Sequence, residues 1–576
     1  MNQQFFKFIK ENNLSPFSNS KAIIRGETDS IFKTRDAKAI NQKVLSKIAS
    51  NFCFYDTSAL FQCFSFTLDA DEIKKRQDFF KSIQTKDRSY LKKIAVPKKC
   101  WRPKYDLIAV TENEETFIRL NELGCLAKLL ISENDLNELE KYDLVQVIDC
   151  DEFSRFLERL PQTVFIDSAS DAYLERYLEV LSAWLENIEL LEKYDLEDEL
   201  KEIIAELKPL FLLMEKKKSS ILSREHVFNK LEEINDNISK KIKEMTISGD
   251  SLLKIVNEGK LPPEFKKIVD DSVKEAGLPF SIININIPVT IDEKELDSLI
   301  KKQDANEFTN IAELIKSYSK QLKAVPEKLE KISSLLLIFD FFSGILKFKS
   351  EFESYPEVCD LIEINNSKNI FLENAQPISF GIDINNRCSI LTGANSGGKT
   401  TLIEHIIQLI SLTQLGLSAS GKIKMPLFSE VYYFAKNKGS MNKGAFETLL
   451  TQMSKIKPGR KTLILADEIE SVTEPGVAGK IICATSDYFI KKECFLVIAT
   501  HLGQEIIKNL PKYARVDGIE AKGLDENFEL IVDHNPVIGR LAHSTPELIV
   551  ERLASSDSCE YFSYVYEFLK NNFEKK

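Results

Sequence analysis

The residues best suited to chemistry fall between positions 393 and 501. Gly393-Ala394-Asn395-Ser396-Gly397-Gly398-Lys399-Thr400 fits GxxxxGK[ST] in full. It follows the apolar run Arg387–Thr392 and precedes Thr401–Leu415, which reads as an amphipathic helix. Glycines at this spacing let backbone N–H groups turn inward around phosphate oxygens, and the helix amino terminus adds its positive dipole end. Lys399 is then placed to reach the β- and γ-phosphates, and Thr400 to ligate Mg²⁺, with Thr401 beside it in the same phosphate cradle. A second apolar run, Thr462–Asp467, ends in Asp467-Glu468. An aspartate there can hold Mg²⁺ through water, and the next carboxylate can polarise an attacking water. A third run, Cys494–Thr500, leads into His501, placed to sense a γ-phosphate. Each feature has a plainer reading: a glycine-rich turn, an acidic helix cap, a structural histidine. Their order along successive strands favours the chemical one.

The three runs read as buried strands of an α/β unit that starts near residue 360. Upstream, four short strand-like runs alternate with helical stretches: Asp106–Val110, Ala127–Ser132, Leu144–Asp149 and Thr163–Asp167. That alternation predicts a small parallel α/β insert with no glycine-rich turn, hence no nucleotide site of its own. Tyr173–Met214 reads as a long helical stretch kinked at Pro209, and Lys216–Glu244 continues it. Glycines and prolines break the pattern over 246–300, where Phe280–Thr290 alternates like a strand; helix resumes over 306–350. The expected organisation is multidomain α/β. Residues 1–104 form the first part of a helical core, 105–167 the α/β insert, and 168–245 core and lever helices. A clamp-like insertion covers 246–305, a returning lever helix 306–358, the ATPase-type domain 359–535, and a helical dimerisation segment 536–576.

Composition limits the alternatives. The chain has 576 residues, 43% of them hydrophobic and 29% charged, with 37 Phe and 16 Tyr. That is ample apolar surface for several cores. A net charge of -11 argues against a generic basic coat for nucleic acid, so any such contact must be local. The ten cysteines form no CxxC and no zinc-like spacing, which predicts reduced, mostly buried thiols in a cytoplasmic protein. The start lacks the long apolar stretch of a signal peptide. The most apolar run, Leu335–Leu346, contains Asp340 and is too short to span a bilayer, so no membrane association is expected.

Together these motifs resemble the ATPase domain of the MutS family, itself similar to ABC-type ATPases. GANSGGKTT is similar to the family's G-P-N-x-G-G-K-[ST], DEIESVTEPG to D-E-[IL]-G-x-G-T, and ATHLGQE to A-T-H-[YF]-x-E. Phe371-Leu372-Glu373-Asn374 resembles the family's F-x-x-N, which implies that Phe371 stacks on adenine with Asn374 close by. The detailed match covers roughly 360–555; elsewhere only the layout matches. The resemblance implies ATP and Mg²⁺ as cofactors, Glu468 and His501 as catalytic residues, and a homodimer in which each ATP is completed by the partner's signature loop. The stretch matching that loop contains Gly444, Ala445 and Phe446, so glycine or alanine stands where the family has serine. The family's amino-terminal mismatch-reading domain and the carboxy-terminal Smr nuclease of one of its branches are not expected here.

For nucleic acid, residues 215–275 hold 13 Lys/Arg against 12 Asp/Glu and are nearly neutral. Residues 81–104 hold nine Lys/Arg, including Lys92, Lys93, Lys98, Lys99 and Arg102, against one acid, with Tyr90 and Trp101 interleaved. Counterion release favours this second segment, although a solvated basic linker has the same composition. The function so implied is an ATP-driven dimer that switches a clamp on DNA in repair or recombination. The alternative is a ribosome- or RNA-associated ATPase of the same family.

Overall fold

The computed structural model describes residues 2–19, 31–98, 101–160, 162–214, 223–244, 263–286, 288–393, 398–436, 443–468, 475–524, 530–542, 550, 553–555 and 560–573. The chain divides into two units, one of residues 94–332 and one built from 1–93 together with 333–576.

The first unit contains a parallel four-stranded sheet of β1 (Leu107–Thr111), β2 (Ala127–Leu129), β3 (Leu144–Ile148) and β4 (Thr163–Phe165), in the order β2-β1-β3-β4. Alternate strand residues go to opposite cores. Ala109, Leu144, Ile148 and Val164 pack on one face, and Ile108, Val110, Val145 and Val147 on the other. Burial on both faces is why these strands read as continuous apolar runs. The long helical stretch expected from Tyr173 is made of three helices, Glu175–Ser182, Leu185–Leu191 and Asp198–Phe211. Pro209 lies in the last turn of the third and makes no mid-helix kink. Phe280–Thr290 is not a strand. It holds a 3₁₀ turn, Phe280–Ile282, and contributes to a two-residue ladder between Ile283–Asn284 and Thr290–Ile291. Its buried apolar residues, Ile282, Ile283 and Val289, instead cover Val227, Ile234 and Ile238 of helix Arg224–Lys243 and Val269 and Val273 of helix Pro263–Ala276, while Ile285 is exposed.

In the second unit, aromatic side chains carry much of the amino-terminal packing. Phe341 has the rings of Phe5, Phe52, Phe61 and Phe64 within 6.0 Å of its own, the last nearly parallel to it. Beside it the carboxylate of Asp340 is fully buried, accepting from the amides of Cys53 and Phe54 and from Thr57 Oγ1. Asp340 is thus a structural anchor. Tyr90, expected on the basic segment's surface, is fully buried.

Helix α1 (Arg35–Ala49) then packs on α2 (Lys399–Leu415). The unit's main sheet is parallel: β5 (Cys388–Gly393), β6 (Glu430–Phe434), β7 (Thr462–Asp467), β8 (Phe495–Ala499) and β9 (Ala514–Ile519), in the order β6-β7-β8-β5-β9. A smaller sheet, mostly antiparallel, is formed by Glu357–Val358, Ile362–Ser367, Ile378–Ile382 and Lys422–Met425. The amino-terminal segment seals the β6 edge: Lys33 donates to Val431 O, and Val431 to Ile31 O. The helix expected to be amphipathic is buried on every side; α2 keeps little but Thr400, Thr401 and Glu404 accessible. Its polar residues are satisfied inside the fold, which is how they survive burial.

Among the described residues, no helix is long and apolar enough to cross a membrane. The eight described cysteines are all free; four are buried and Cys53 is exposed, so the thiols are less uniformly buried than expected.

Candidate nucleotide site

Strand β5 delivers the chain to the point where the strand order reverses, the usual ligand crevice of an open α/β sheet. Gly393 has φ +130°, and a Cβ there would lie 2.2 Å from Ile519 O. Gly398 has φ +87° and forms the N-cap of α2 without any side-chain cap. Glycine at both ends of the loop is therefore a backbone requirement. Ala394, Asn395, Ser396 and Gly397 lie outside the described residues. Lys399 is buried, its Nζ 2.5 Å from Gly393 O and 3.9 Å from Glu468 Oε1. Lysine thus already points back across the loop it closes.

Thr400 Oγ1 donates to Asp467 Oδ2 at 2.6 Å. The other carboxylate oxygen, Asp467 Oδ1, is buried with no hydrogen-bond partner. A hydroxyl and an orphaned carboxylate oxygen at the end of a buried strand suit Mg²⁺, which takes few protein ligands and leaves its remaining positions to water and phosphate. Burial holds the Asp467 carboxyl above its ordinary range, outweighing the hydrogen bond from Thr400. Glu468 has φ +48°, a strained value for a side chain of this size. It accepts from His501 Nε2 at 2.6 Å and from Lys436 Nζ. Burial pushes the Glu468 carboxyl up, but hydrogen bonds from Lys436 and His501 more than offset it and leave it below the usual value. The Glu468 amide donates to Ala499 O, which fixes the β7 and β8 ends in register.

The structure therefore brings Gly393, Gly398, Lys399, Thr400, Asp467, Glu468 and His501 together. Thr401 follows in the first turn of α2. Phe371 lies beside α2, on an open cleft that Glu404 also lines, and Asn374 is exposed on the same loop. Gly444, Ala445 and Phe446 are at the start of α3 (Lys443–Met453); their side chains lie outside the description. Lys92 and Lys93 are exposed in one unit, and Lys98 and Arg102 are exposed in the other; Lys99 lies outside the described residues. Because Tyr90 is buried, the basic segment lacks that stacking platform.

Three contributors were missed. Lys436, just past β6, carried no motif. His534 sits beside the start of α2, its Nδ1 2.8 Å from where a Cβ on Gly398 would be. A buried network also holds the Phe371 loop to α2. His405 Nε2 pairs with Ser367 Oγ, Gln408 Nε2 donates to Asn369 Oδ1, and the Phe371 amide donates to the same Asn369 oxygen. The visible clue was three polar residues, His405, Gln408 and Ser411, recurring at every third position of the helix.

No protein-family model matches the chain. Curated proteins do. A protein named DNA-binding protein MutS2 from Pyrococcus furiosus is 30% identical over 569 residues, covering 90% of this chain and 96% of that protein. Endonuclease MutS2 from Fusobacterium nucleatum is 24% identical over 49% of this chain and 36% of its own length. The DNA mismatch repair protein MutS of Fervidobacterium nodosum is 26% identical over 51% of this chain and 38% of its own. The matches to these two longer proteins thus span little more than a third of each. With the P-loop, the paired carboxylates and the histidine converging at one sheet edge, and with a relative matched almost end to end, the chain belongs to the MutS family.

Proposed function

We propose that this protein is a DNA-binding ATPase that couples ATP hydrolysis to a change of shape in a homodimer. The observation that carries the reading is the convergence of Lys399, the Thr400–Asp467 pair and the His501–Glu468 pair at the carboxyl ends of three adjacent strands. In this reading Lys399 and the loop amides bind phosphate, and Thr400 and Asp467 hold Mg²⁺. Bound there, Mg²⁺ supplies neutralisation of charge on the phosphate oxygens. Glu468 orients and polarises the attacking water, and His501 reports the γ-phosphate. Lys436 and Lys399 both neighbour Glu468, so arrival of a γ-phosphate gives these cations a second anion to serve. That competition is a local electrostatic switch.

The helical residues within 175–243 and 306–351 are suited to carry closure of the dimer to the region 246–305, acting as levers to a clamp. Residues 246–262 and 287 of that region lie outside the described residues. The altered signature loop still offers backbone N–H groups to a partner's ATP. DNA is the favoured ligand because the names of the relatives speak of DNA. No observation on this chain favours the ribosome.

The test is retention of the purified Glu468→Gln protein, held in ATP, on branched DNA, mismatched duplex, perfect duplex and ribosomes offered together. ATP-dependent retention on DNA, with phosphate release lost in Glu468→Gln and nucleotide binding lost in Lys399→Ala, is the expected result. Retention on ribosomes with DNA left free would replace DNA as the partner. Unchanged phosphate release in Glu468→Gln would remove the hydrolytic assignment.

A further inference from the structure

Both carboxylate oxygens of Glu468 are engaged. Oε1 accepts from His501 Nε2 at 2.6 Å, and Oε2 accepts from Lys436 Nζ. Lys399 Nζ stands 3.9 Å from Oε1, an ion-pair distance too long for a hydrogen bond. Three nitrogen groups thus surround one carboxylate whose side chain is 9% exposed, at the place where the nucleotide reading puts a γ-phosphate. Lys436 reaches it because β6 and β7 are paired strands. Phe434 stands opposite Ala466, so the residues that follow each strand leave the sheet side by side.

The three groups differ in how tightly they are held. The Lys399 side chain is 2% exposed, and its Nζ also lies 2.5 Å from Gly393 O, so it is committed to the phosphate loop. The His501 ring, on a shorter side chain, can meet a phosphate oxygen only near where it stands. The Lys436 side chain is 49% exposed and carries its ammonium on a flexible four-carbon stem. A pair with a half-exposed lysine is weak and is readily exchanged for a better anion. A γ-phosphate offers more charge and more acceptor oxygens than a carboxylate.

We propose that Lys436 is a positioning residue: it holds Glu468 Oε2, as in this structure, until ATP binds, then passes to the γ-phosphate and leaves Oε2 to the attacking water. The assignment rests on the nucleotide reading above and deepens it by naming which of the three groups changes partner. The water-activating carboxylate is then released only in a site that holds something to hydrolyse. With ADP the exchange has no destination, and Lys436 remains on Glu468. Lys436 thereby favours ATP over ADP, a discrimination that the loop amides, which serve the phosphates common to both nucleotides, do not supply.

The test uses the full chain and two variants, Lys436→Met, which keeps the side chain's length without its charge, and Lys436→Arg. Affinities for ADP and for a non-hydrolysable ATP analogue, each with Mg²⁺, are measured alongside kcat and KM for ATP. In Lys436→Met the expected result is about tenfold weaker binding of the analogue and a KM raised to match, with kcat within about threefold of the parent. ADP affinity should stay unchanged, which also shows that the variant is folded. Lys436→Arg should restore most of the loss. A fall in kcat with analogue affinity equal to the parent would overturn the exchange and make Lys436 a standing support of Glu468. Parental values throughout would overturn it as well, reducing the pair to a surface contact, while leaving the nucleotide reading intact. A parent chain that neither binds the analogue nor hydrolyses ATP would overturn both.

Discussion

The sheets β1–β4 and β5–β9 are both parallel and both buried on two faces, yet their carboxyl edges are finished differently. After β1, Asn113 caps the next helix, accepting from the amides of Glu115 and Thr116. The neighbouring Glu112 carboxylate takes the amides of Asp151, Glu152 and Phe153 that follow β3. Those three hydrogen bonds outweigh the cost of its partial burial and hold Glu112 below the ordinary carboxylate range. The insert thus fills its own anion cradle. After β5, the helix begins at a glycine with no side-chain cap, and Asp467 keeps one oxygen without a partner. An external anion and its metal are accommodated where the chain leaves its own amides and carboxylates unsatisfied.

The most severe way to break this contrast is to let the phosphate loop cap itself. Gly398→Asp places a carboxylate at the mouth of the loop. Repulsion of about 4 kcal/mol at close range corresponds to roughly a thousandfold loss of ATP affinity. Titration with a fluorescent ATP analogue checks it, with Glu112→Gln as the matched control expected to bind like the parent.

A smaller effect concerns the network behind the loop. Burial pushes His405 down to about 4, outweighing its hydrogen bond with Gln408, so the folded ring stays neutral while the unfolded ring protonates near 6.5. The unfolded state then binds more protons between these values, and stability falls as pH drops from about 6.5 to about 4. The full contribution is about 3 kcal/mol. Urea unfolding at pH 7 and pH 4.5 should show a shallower loss in His405→Asn than in the parent. Equal losses would remove His405 as the source.

In the insert, Glu112→Ala leaves three amides without their carboxylate. A loss of about 2 kcal/mol is expected, read as faster amide exchange over residues 151–157. Inorganic phosphate should restore part of that protection in the variant and do nothing for the parent. That result would turn the filled cradle back into an open one.

The smallest effect lies on the basic segment. Each of Lys92, Lys93, Lys98, Lys99 and Arg102 that meets a DNA phosphate contributes about 0.9 to the slope of log affinity against log salt. Alanine at one position should lower the slope by that amount if the contact exists, and leave it unchanged otherwise.

What the sequence made legible follows the same division. The phosphate loop, Asp467-Glu468 and His501 were readable because each sits at the end of a continuous apolar strand, and β7 begins and ends where it was expected. The four strands of the insert were found to within a few residues for the same reason. Periodicity failed where polar residues are buried. α2 read as amphipathic because His405, Gln408 and Ser411 look like a solvent face, yet they pair within the fold. Tyr90 was grouped with surface lysines because nearest neighbours in sequence say nothing of which way a short 3₁₀ turn faces. Phe280–Thr290 alternates like a strand in sequence, yet the neighbouring Ile282 and Ile283 are both buried on a helix pair and Ile285 is exposed. Lys436 carries no motif; only its tertiary contact with Glu468 brings it to the site.

The pairing of Ile31–Lys33 with Val431 also sets a timetable for synthesis. About 400 residues separate the two partners, and at about 5–20 residues per second their union waits some 20–80 seconds. Until β6 emerges, the first 93 residues have made the aromatic side chains of a core without the sheet that completes it. The intervening unit, with its own sheet, can fold during that interval. Residues 31–33 therefore wait for their partner longer than any residue of the 94–332 unit waits for a partner within that unit.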